Sequence, residues 1–458
     1  MAKPKKQKAK QFQRPRGTHD ILPGTQPFWD RLRGLAHDIS SFYEFGRIET
    51  PHFEDTELFT HGVGNATDIV EKQMYSFKTR GGDQLTLRPE GTAPIARSYI
   101  ENGMVAEPHP VKLWYFGSFF RHESPQRGRF REFHQWGLES FGEEGPVVEA
   151  EIIQVIHTFL KELGIQDIYV ELNSIGCPEC RTQVKSQILA YYRSKSKKLC
   201  VDCKRRMKEN YLRLFDCKEE KCVQIRQNAP QIIEHICENC KHHFKLLLEF
   251  MDEAQVPYVL NPYLVRGLDY YTKTVFEFFV GKPDEEKGTV EEVAEEKEEK
   301  KEEGVQQQPP PKLSFAVAGG GRYDGLVELL GGRPTPAAGG AVGLERLIEV
   351  MRHQKIELSA APVKRIFLVQ LGDLAKRKSL KIIEQFRNAK IPLGMSLGKD
   401  SIKSQFTLAS KLGAEYVLVF GQKEALDNEV IIREMTSGIQ ETVPLEKLVD
   451  SVKRRLNL

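Results

Sequence analysis

The sequence lacks a long apolar run. Its longest stretch without a charged residue, Ala254 to Val265, is broken by Gln255, Pro257, Asn261 and Pro262. It therefore offers nothing like the roughly 20 apolar residues that a membrane span requires, and no membrane contact is expected. Cysteine is scarce, 8 in 458 residues, far from the density of a disulfide-stapled secreted chain. The opening MAKPKKQKAK is charged with no apolar segment behind it, so no secretory leader is expected and the reducing cytoplasm is the expected compartment. The chain also lacks a Walker-type phosphate loop, and its C-terminal part lacks G-x-G-x-x-G. These absences argue against P-loop and dinucleotide chemistry.

Charge is segregated rather than scarce, because the net +3 conceals three blocks. Residues 1–16 carry seven Lys/Arg and no acid, and residues 177–245 carry sixteen Lys/Arg against eight acids. Residues 284–303 carry eleven acids against four Lys. Basic blocks suit a polyanion such as RNA, since each neutralised phosphate releases counterions. A solubilising tail and a solvated helical face explain the charge alone equally well.

Residues 1–13 read as a disordered basic tail. From residue 14 to 176, alternating runs at Leu85–Arg88, Lys112–Phe119 and Phe130–Leu138 predict strands, and helical stretches fall near Gln26–Phe45, Thr92–Asn102 and Val147–Leu163. That mixture predicts an α+β core with an antiparallel sheet. Residues 177–260 read as a helical, basic insert holding all eight cysteines. The core resumes over 261–358, interrupted at 283–312 by an acidic segment too polar to pack, which predicts a disordered loop or a solvated helix between two strands. After a connector at Ser359–Val363, residues 364–458 alternate strand and helix as a compact α/β domain.

The richest block is Lys112 to Phe141, KLWYFGSFFRHESPQRGRFREFHQWGLESF. Arg121, Arg127, Arg129 and Arg131 crowd one predicted hairpin, an arrangement that favours phosphate through bidentate bonds or a structural salt-bridge ladder. Further blocks are LRPEGTA at 87–93, LVRGLDYYT at 264–272, AGGGRYDGL at 318–326 and GGAVGLERL at 339–347. Together, and in this order, they resemble the histidyl-tRNA synthetases of the class II aminoacyl-tRNA synthetase family. The resemblance runs from Arg14 to the C-terminus apart from the acidic loop. It includes FRxE at Phe120–Glu123, GLER at Gly343–Arg346, and a first motif around Gly46–Leu58 whose strand is expected to end at Pro51.

The resemblance implies a class II catalytic core, a helical insert, a C-terminal α/β anticodon-binding domain, and ATP-dependent joining of L-histidine to tRNA(His) through a histidyl-adenylate. It implies a histidine pocket of Glu90, Gly91, Thr92, Arg121, Gln135, Glu139, Arg266, Tyr270 and Tyr271. Glu90 would face the ammonium, and Glu139, Gln135 and Tyr271 the imidazole. ATP is assigned to Arg121, Glu123, Arg129, Phe133 and Arg346, with Mg²⁺ bridging its β and γ oxygens. Arg266 and Arg121 are the implied catalytic residues, because positive charge between two approaching anions lowers the barrier to their reaction. The first motif implies a homodimer. A histidine-sensing regulatory paralogue without ligase activity is the alternative, although such relatives erode the arginines that this chain keeps. In the insert, Lys204, Arg205 and Arg206 are expected to contact tRNA near its acceptor end.

The cysteines fall as Cys177/Cys180, Cys200/Cys203, Cys217/Cys222 and Cys237/Cys240. Paired thiols in a reducing compartment suit one or two tetrahedral zinc sites, with reduced thiols as the competing reading and disulfides a third.

Overall fold

Trp29, Leu32, Leu35, Ala36 and Ile39 recur with helical spacing, and Gln26–Phe42 accordingly forms α1 with these residues on its buried face. The computed structural model describes residues 12–64, 67–124, 128–281, 316–358, 365–396, 398 and 401–457. Residues 1–11, Arg127, the whole acidic segment and the 359–363 connector lie outside them. Two compact units divide between residues 358 and 359.

In the first unit α1 is followed by β1 (Gly46–Arg47), β2 (Phe53–Asp55), α2 (Thr56–Gly62), β3 (Tyr75–Lys78), β4 (Gln84–Leu87) and α3 (Thr92–Glu101). Next come β5 (Val111–Phe120), β6 (Glu132–Phe141), α4 (Val147–Glu162) and β7 (Ile168–Gly176). Four helices follow, α5 (Pro178–Lys195), α6 (Val201–Glu209), α7 (Glu220–Arg226) and α8 (Glu238–Glu253). The unit closes with β8 (Tyr258–Leu260), β9 (Thr272–Val280), β10 (Ala318–Arg322), α9 (Leu326–Leu329), β11 (Ala337–Gly343) and α10 (Leu344–His353).

Eight strands form one sheet in the order β1-β5-β6-β11-β10-β9-β7-β8, with β2-β4-β3 as a small separate sheet. Pairing is antiparallel from β5 through β7 and parallel only at the two edges. Alternation along the strands gives the large sheet two apolar faces. Trp114, Trp136, Leu138, Phe276 and Phe278 pack on one side with α1, α4, α8 and α10. Leu113, Tyr115, Phe119, Phe141 and Val275 pack on the other with α2, α3 and the cysteine-bearing helices. Helix α4 buries a broad apolar face because it lies within the first of these layers.

One buried ion pair ties the layers together. Glu149 of α4 accepts from Arg322 of β10 at 2.8 and 2.5 Å, and His243 of α8 lies 2.7 Å from the same carboxylate. The guanidinium is completed by the carbonyls of Glu143 and Gly145 and by Asp324. Burial alone would raise the Glu149 pKa, but Arg322 and His243 outweigh it and hold the carboxylate down to about 2.

The predicted first-motif strand stops at Arg47 rather than at Pro51, because the Thr50 carbonyl is taken by the Arg88 guanidinium at 2.7 Å and Pro51 has no N–H to pair. The last helix of the basic insert, α8, sends Phe244, Leu247 and Met251 into the layer shared with α4, while β8 joins the main sheet.

The second unit contains β12 (Arg365–Gln370), α11 (Asp373–Asn388), β13 (Leu393–Met395), α12 (Ile402–Lys411), β14 (Ala414–Phe420), α13 (Gln422–Asp427), β15 (Glu429–Glu434), β16 (Gln440–Pro444) and α14 (Leu448–Leu456). Its sheet runs β13-β12-β14-β15-β16, parallel among the first three strands and antiparallel beyond. Sequence reading misses α13, which is short, and β16, an exposed edge strand with weak alternation. Among the described residues no helix is long and apolar enough to cross a membrane.

Removing one member of a buried ion pair strands the other, so Glu149→Gln should destabilise the first unit by about 3–5 kcal/mol. Because the Glu149 pKa is depressed, its contribution is full above the unfolded carboxylate range and is lost as pH falls toward 2. Urea unfolding at neutral and acid pH should therefore show wild type and variant converging in acid. A variant as stable as wild type at neutral pH would contradict this account.

Candidate active site

Register across the sheet sorts the predicted residues into rows. Glu139 pairs with Gly339, which pairs with Gly321 and then Val275. The next row on the same face is Tyr115, Gly137, Ala341, Gly319 and Glu277. One step further along β6 stands Gln135, between Gly117 and Gly343. Rows lie about 7 Å apart, so Glu139 and Gln135 are separated by about 14 Å of backbone.

The floor under these rows is bare. A Cβ at Gly339 would lie 1.8 Å from the Glu139 Oε2 atom, and one at Gly319 would lie 2.6 Å from the Arg266 guanidinium. Glycine is needed here because side chains from other segments lie flat across the strands.

At one end Glu139 is buried and accepts from Thr92 Oγ1 at 2.7 Å and from the Tyr323 hydroxyl. Burial raises its pKa to about 8, against the pull of those two donors, and the neighbouring Glu90 charge adds to the rise. Glu90 accepts from the backbone N–H groups of Thr92 and Ala93 at 2.7 and 2.8 Å, and from the Tyr270 hydroxyl at 3.3 Å. Its carboxylate thus stabilises the first turn of α3 while forming a pocket wall. Burial raises Glu90 as well, opposed by those N–H groups and by Arg121. The rings of Tyr270 and Tyr271 lie 4.7 Å apart, and Tyr323 is 5.6 Å from Tyr270. Gly91 is required because Tyr115 passes within 2.5 Å of where its Cβ would be.

At the other end the charge is positive. Arg121 donates to the Pro89 carbonyl at 2.8 Å, and its guanidinium carbon stands 5.2 Å from the centre of the Phe133 ring. Glu123 lies 3.9 Å from Arg121 and 3.7 Å from Arg129. Arg346, on the first turn of α10, donates to the Ala316 carbonyl. Burial, reinforced by the nearby Arg129, lowers its pKa to about 10. Arg266 pairs with Glu277 across the glycine floor, and its Nε is buried with no hydrogen-bond partner among the described residues. Burial also lowers Arg121, and Arg266 adds to that shift against the pull of Glu123, Glu90 and Tyr270. Four guanidiniums facing the carboxylates Glu123 and Glu277 leave net positive charge, a site for an anion with several oxygens.

Sequence reasoning missed four residues that build this site. Tyr323 lies within AGGGRYDGL, and Tyr115 lies opposite Gly137, where a mid-strand glycine marks close approach. Glu277 is placed by register alone. Glu345 accepts from the His134 main-chain N–H at 3.0 Å and lies 2.8 Å from its ring nitrogen, pinning α10, and so Arg346, to β6.

The cysteines gather as Cys177, Cys180, Cys237 and Cys240, and as Cys200, Cys203, Cys217 and Cys222, with each set of sulfurs within 4.8 Å of one another. Sulfur separations are 3.5 Å for 177/180, 4.0 Å for 177/237, 3.8 Å for 180/240 and 3.8 Å for 200/217. A tetrahedral zinc with bonds of about 2.3 Å places its sulfurs about 3.8 Å apart, so both sets fit the metal.

Two of the three basic residues expected to meet tRNA have acidic partners within the chain. Arg205 is paired with Glu71 at 2.6 Å and Arg206 with Asp68 at 3.6 Å. Lys204 instead shares a groove of about 580 Å³ with Lys185, Arg193 and Lys208, floored by Leu189 and Met207. Spacing of four residues along α5 and α6 brings these cations to one side of each helix.

An antiparallel sheet carrying arginines over a glycine floor, with a helical insert and a C-terminal α/β unit, is the fold of a class II aminoacyl-tRNA synthetase. A family profile for histidyl-tRNA synthetase matches residues 17–293, and one for an anticodon binding domain matches residues 365–455. The chain is 42% identical over 445 residues to the histidine–tRNA ligase of Dehalococcoides mccartyi, covering 97% of this chain and 100% of the relative. It is 41% identical over 441 residues to that of Acetivibrio thermocellus, covering 96% and 99%. The crystal structure of apo S. aureus histidyl-tRNA synthetase superposes with a TM-score of 0.75 at 31% identity, covering 96% of this chain and 99% of that one. The chain belongs to the histidyl-tRNA synthetase family.

With its pKa at about 8, Glu139 is largely protonated at neutral pH. An imidazole N–H donating to the ionised carboxylate makes a charge-assisted bond, stronger than the neutral one. Histidine affinity measured by calorimetry should therefore rise as pH passes through about 8, and Glu139→Gln should weaken binding and flatten the profile. An unchanged profile in the variant would take Glu139 out of the pocket.

Proposed function

We propose that the chain activates L-histidine with ATP and transfers it to tRNA(His). In the first step a histidine carboxylate oxygen attacks the ATP α-phosphorus, forming the histidyl-adenylate as the bond to pyrophosphate breaks. In the second a ribose hydroxyl at the tRNA 3′ end attacks the adenylate carbonyl and AMP leaves. ATP enters as its magnesium complex.

The roles follow the rows. Glu139, Thr92, Tyr323 and Tyr271 surround the imidazole, while Glu90 and Tyr270 face the ammonium. Gln135 stands beside the anion end, level with Gly343. Arg121 holds the α-phosphate and carboxylate, Glu123 and Phe133 the adenine, and Arg129 and Arg346 the outer phosphates. The observation that carries this reading is the position of Arg266. Its guanidinium lies over Gly319, in the row of Gly137, midway between the rows of Glu139 and Gln135. That is where the two anions must meet, and a cation fixed there stabilises the charge that develops between them. No observation favours the regulatory alternative, whose relatives erode the arginines that converge here.

Arg266→Ala should reduce histidine-dependent pyrophosphate exchange by about a hundredfold or more while changing ATP affinity little. Near-normal exchange would remove Arg266 from the mechanism, and a wild-type chain that charges no tRNA would refute the function itself.

The groove on α5 and α6 supports contact with the tRNA backbone. Reversing charge at Lys185, Arg193 and Lys208 should raise the KM for tRNA and flatten its salt dependence by about one unit of slope for each phosphate no longer bound, leaving pyrophosphate exchange intact. The same reversal at Arg205 should act by breaking ion pairs, lowering stability instead. A salt slope unchanged in the groove variant would exclude the groove.

Two zinc ions, held by Cys177, Cys180, Cys237 and Cys240 and by Cys200, Cys203, Cys217 and Cys222, would cross-link the insert. Thiols without disulfides suit a cytoplasmic protein. A homodimer completes the reading, supported by the exposed Phe53 and Phe77 rings 6.5 Å apart on the small sheet, and light scattering giving a monomer mass would contradict it.

A further inference from the structure

Arg181 follows Cys180 directly, and its guanidinium donates to the main-chain carbonyl of Tyr271. On the other side of the cysteines, Gly176 pairs with Lys273 where β7 meets β9, and its carbonyl accepts from Thr272 Oγ1 at 3.2 Å. The cysteine-bearing junction of β7 and α5 is thus joined at two points to the Tyr271–Thr272 segment, through the Tyr271 carbonyl and the Thr272 hydroxyl. The Tyr271 ring lies over the glycine floor, its Cδ1 3.0 Å from where a Gly321 Cβ would be.

The same junction is tied to α8. The Cys237 main-chain N–H lies 3.0 Å from the Cys180 sulfur, and the Cys180 and Cys240 sulfurs are 3.8 Å apart. Helix α8 is rooted beneath the sheet by Phe244, Leu247 and Met251. Without a metal, the four neighbouring sulfurs add only weak mutual hydrogen bonds to that main-chain contact and to the apolar packing around them, and ionising them would add repulsion. With a metal they become one tetrahedral cross-link between the first turn of α5 and a helix fixed in the core.

We propose that metal bound by Cys177, Cys180, Cys237 and Cys240 fixes the first turn of α5, so that Arg181, as a positioning residue, holds Tyr271 in place against the bound amino acid. Metal occupancy is thereby coupled to amino-acid affinity rather than to ATP binding, because the Tyr271 carbonyl that Arg181 grips belongs to the Glu139 end of the floor and not to the arginine end. The proposal rests on the histidine reading of that pocket and on zinc as the thiolate-bound ion.

The test uses the full-length chain purified with zinc. Elemental analysis of wild type should give two zinc per chain. Arg181→Ala leaves every thiol in place and should keep both ions, yet raise the KM for histidine about tenfold, as loss of a hydrogen bond to a charged group does, with the KM for ATP little changed. Arg181→Lys, which retains one donor, should recover part of the loss. Cys240→Ala should lose one zinc and raise the same KM, although Cys240 has no hydrogen bond to Tyr271. Reversible zinc removal by a chelator should reproduce that change and covers a Cys240→Ala chain that does not fold.

An Arg181→Ala chain with both zinc ions and an unchanged histidine KM would overturn the coupling. A wild type without metal would overturn its metal half. A wild type with no histidine-dependent exchange would refute the proposed reaction itself, whereas an active wild type with an indifferent Arg181→Ala variant would refute only this inference.

Discussion

Side chains from neighbouring segments must lie against the centre of one sheet, and the strands there can allow it only by having no side chains of their own. Gly319, Gly321 and Gly339 on the upper face leave room for Arg266, Tyr271 and Glu139. A methyl group at any of these positions would meet a charged or aromatic group, or main chain, at less than van der Waals distance. The reaction needs an amino acid and a nucleotide side by side, and a bare, rigid floor supplies a fixed spacing between their sites. In the proposed reading, the spacing of rows in the β-sheet sets the spacing between imidazole and phosphate.

Burial acts in opposite senses along that floor. At the Glu139 end it raises a carboxylate, so a neutral acid stands among tyrosine hydroxyls. At the arginine end it lowers Arg121 and Arg346, yet their pKa values start so far above neutrality that both remain cations. The result is a neutral polar pocket beside a positive cradle, and a substrate bearing both an imidazole and a carboxylate has one orientation that suits both.

The sequence made the hairpin of β5 and β6 legible because its alternation is strong and its arginines are unusual for a sheet. The residues of LVRGLDYYT and AGGGRYDGL were legible only as blocks. What they do depends on register, and register between β9, β10 and β11 cannot be read when half the residues of β10 and β11 are glycine. Glu277 escaped notice for that reason, and Tyr115 because nothing local to KLWYF distinguishes it from a core residue. Arg205 and Arg206 show the same dependence on distant residues. Their charge was plain, but Glu71 and Asp68, which engage them, lie more than a hundred residues earlier in the chain. The pairing of cysteines into two sets likewise depends on α8 returning to the start of α5, a non-local event.

A strand of glycines is weak in itself, since each loses more chain entropy on ordering and brings no side chain to pack, at roughly 0.5–1 kcal/mol per residue relative to alanine. Placing six of them in β10 and β11 would leave the middle of the sheet its least stable part. The lower face offsets this. Gly320 and Gly340 let Phe276, Ile152 and Ile156 approach within 3.3 Å of the positions their Cβ atoms would take, so α4 packs against backbone. Where β10 ends, Arg322 grips Glu149 of that same helix with two hydrogen bonds in a fully buried setting. The absence of side chains that opens the upper face for chemistry is thus what lets the helix below come close enough to hold the strands in place.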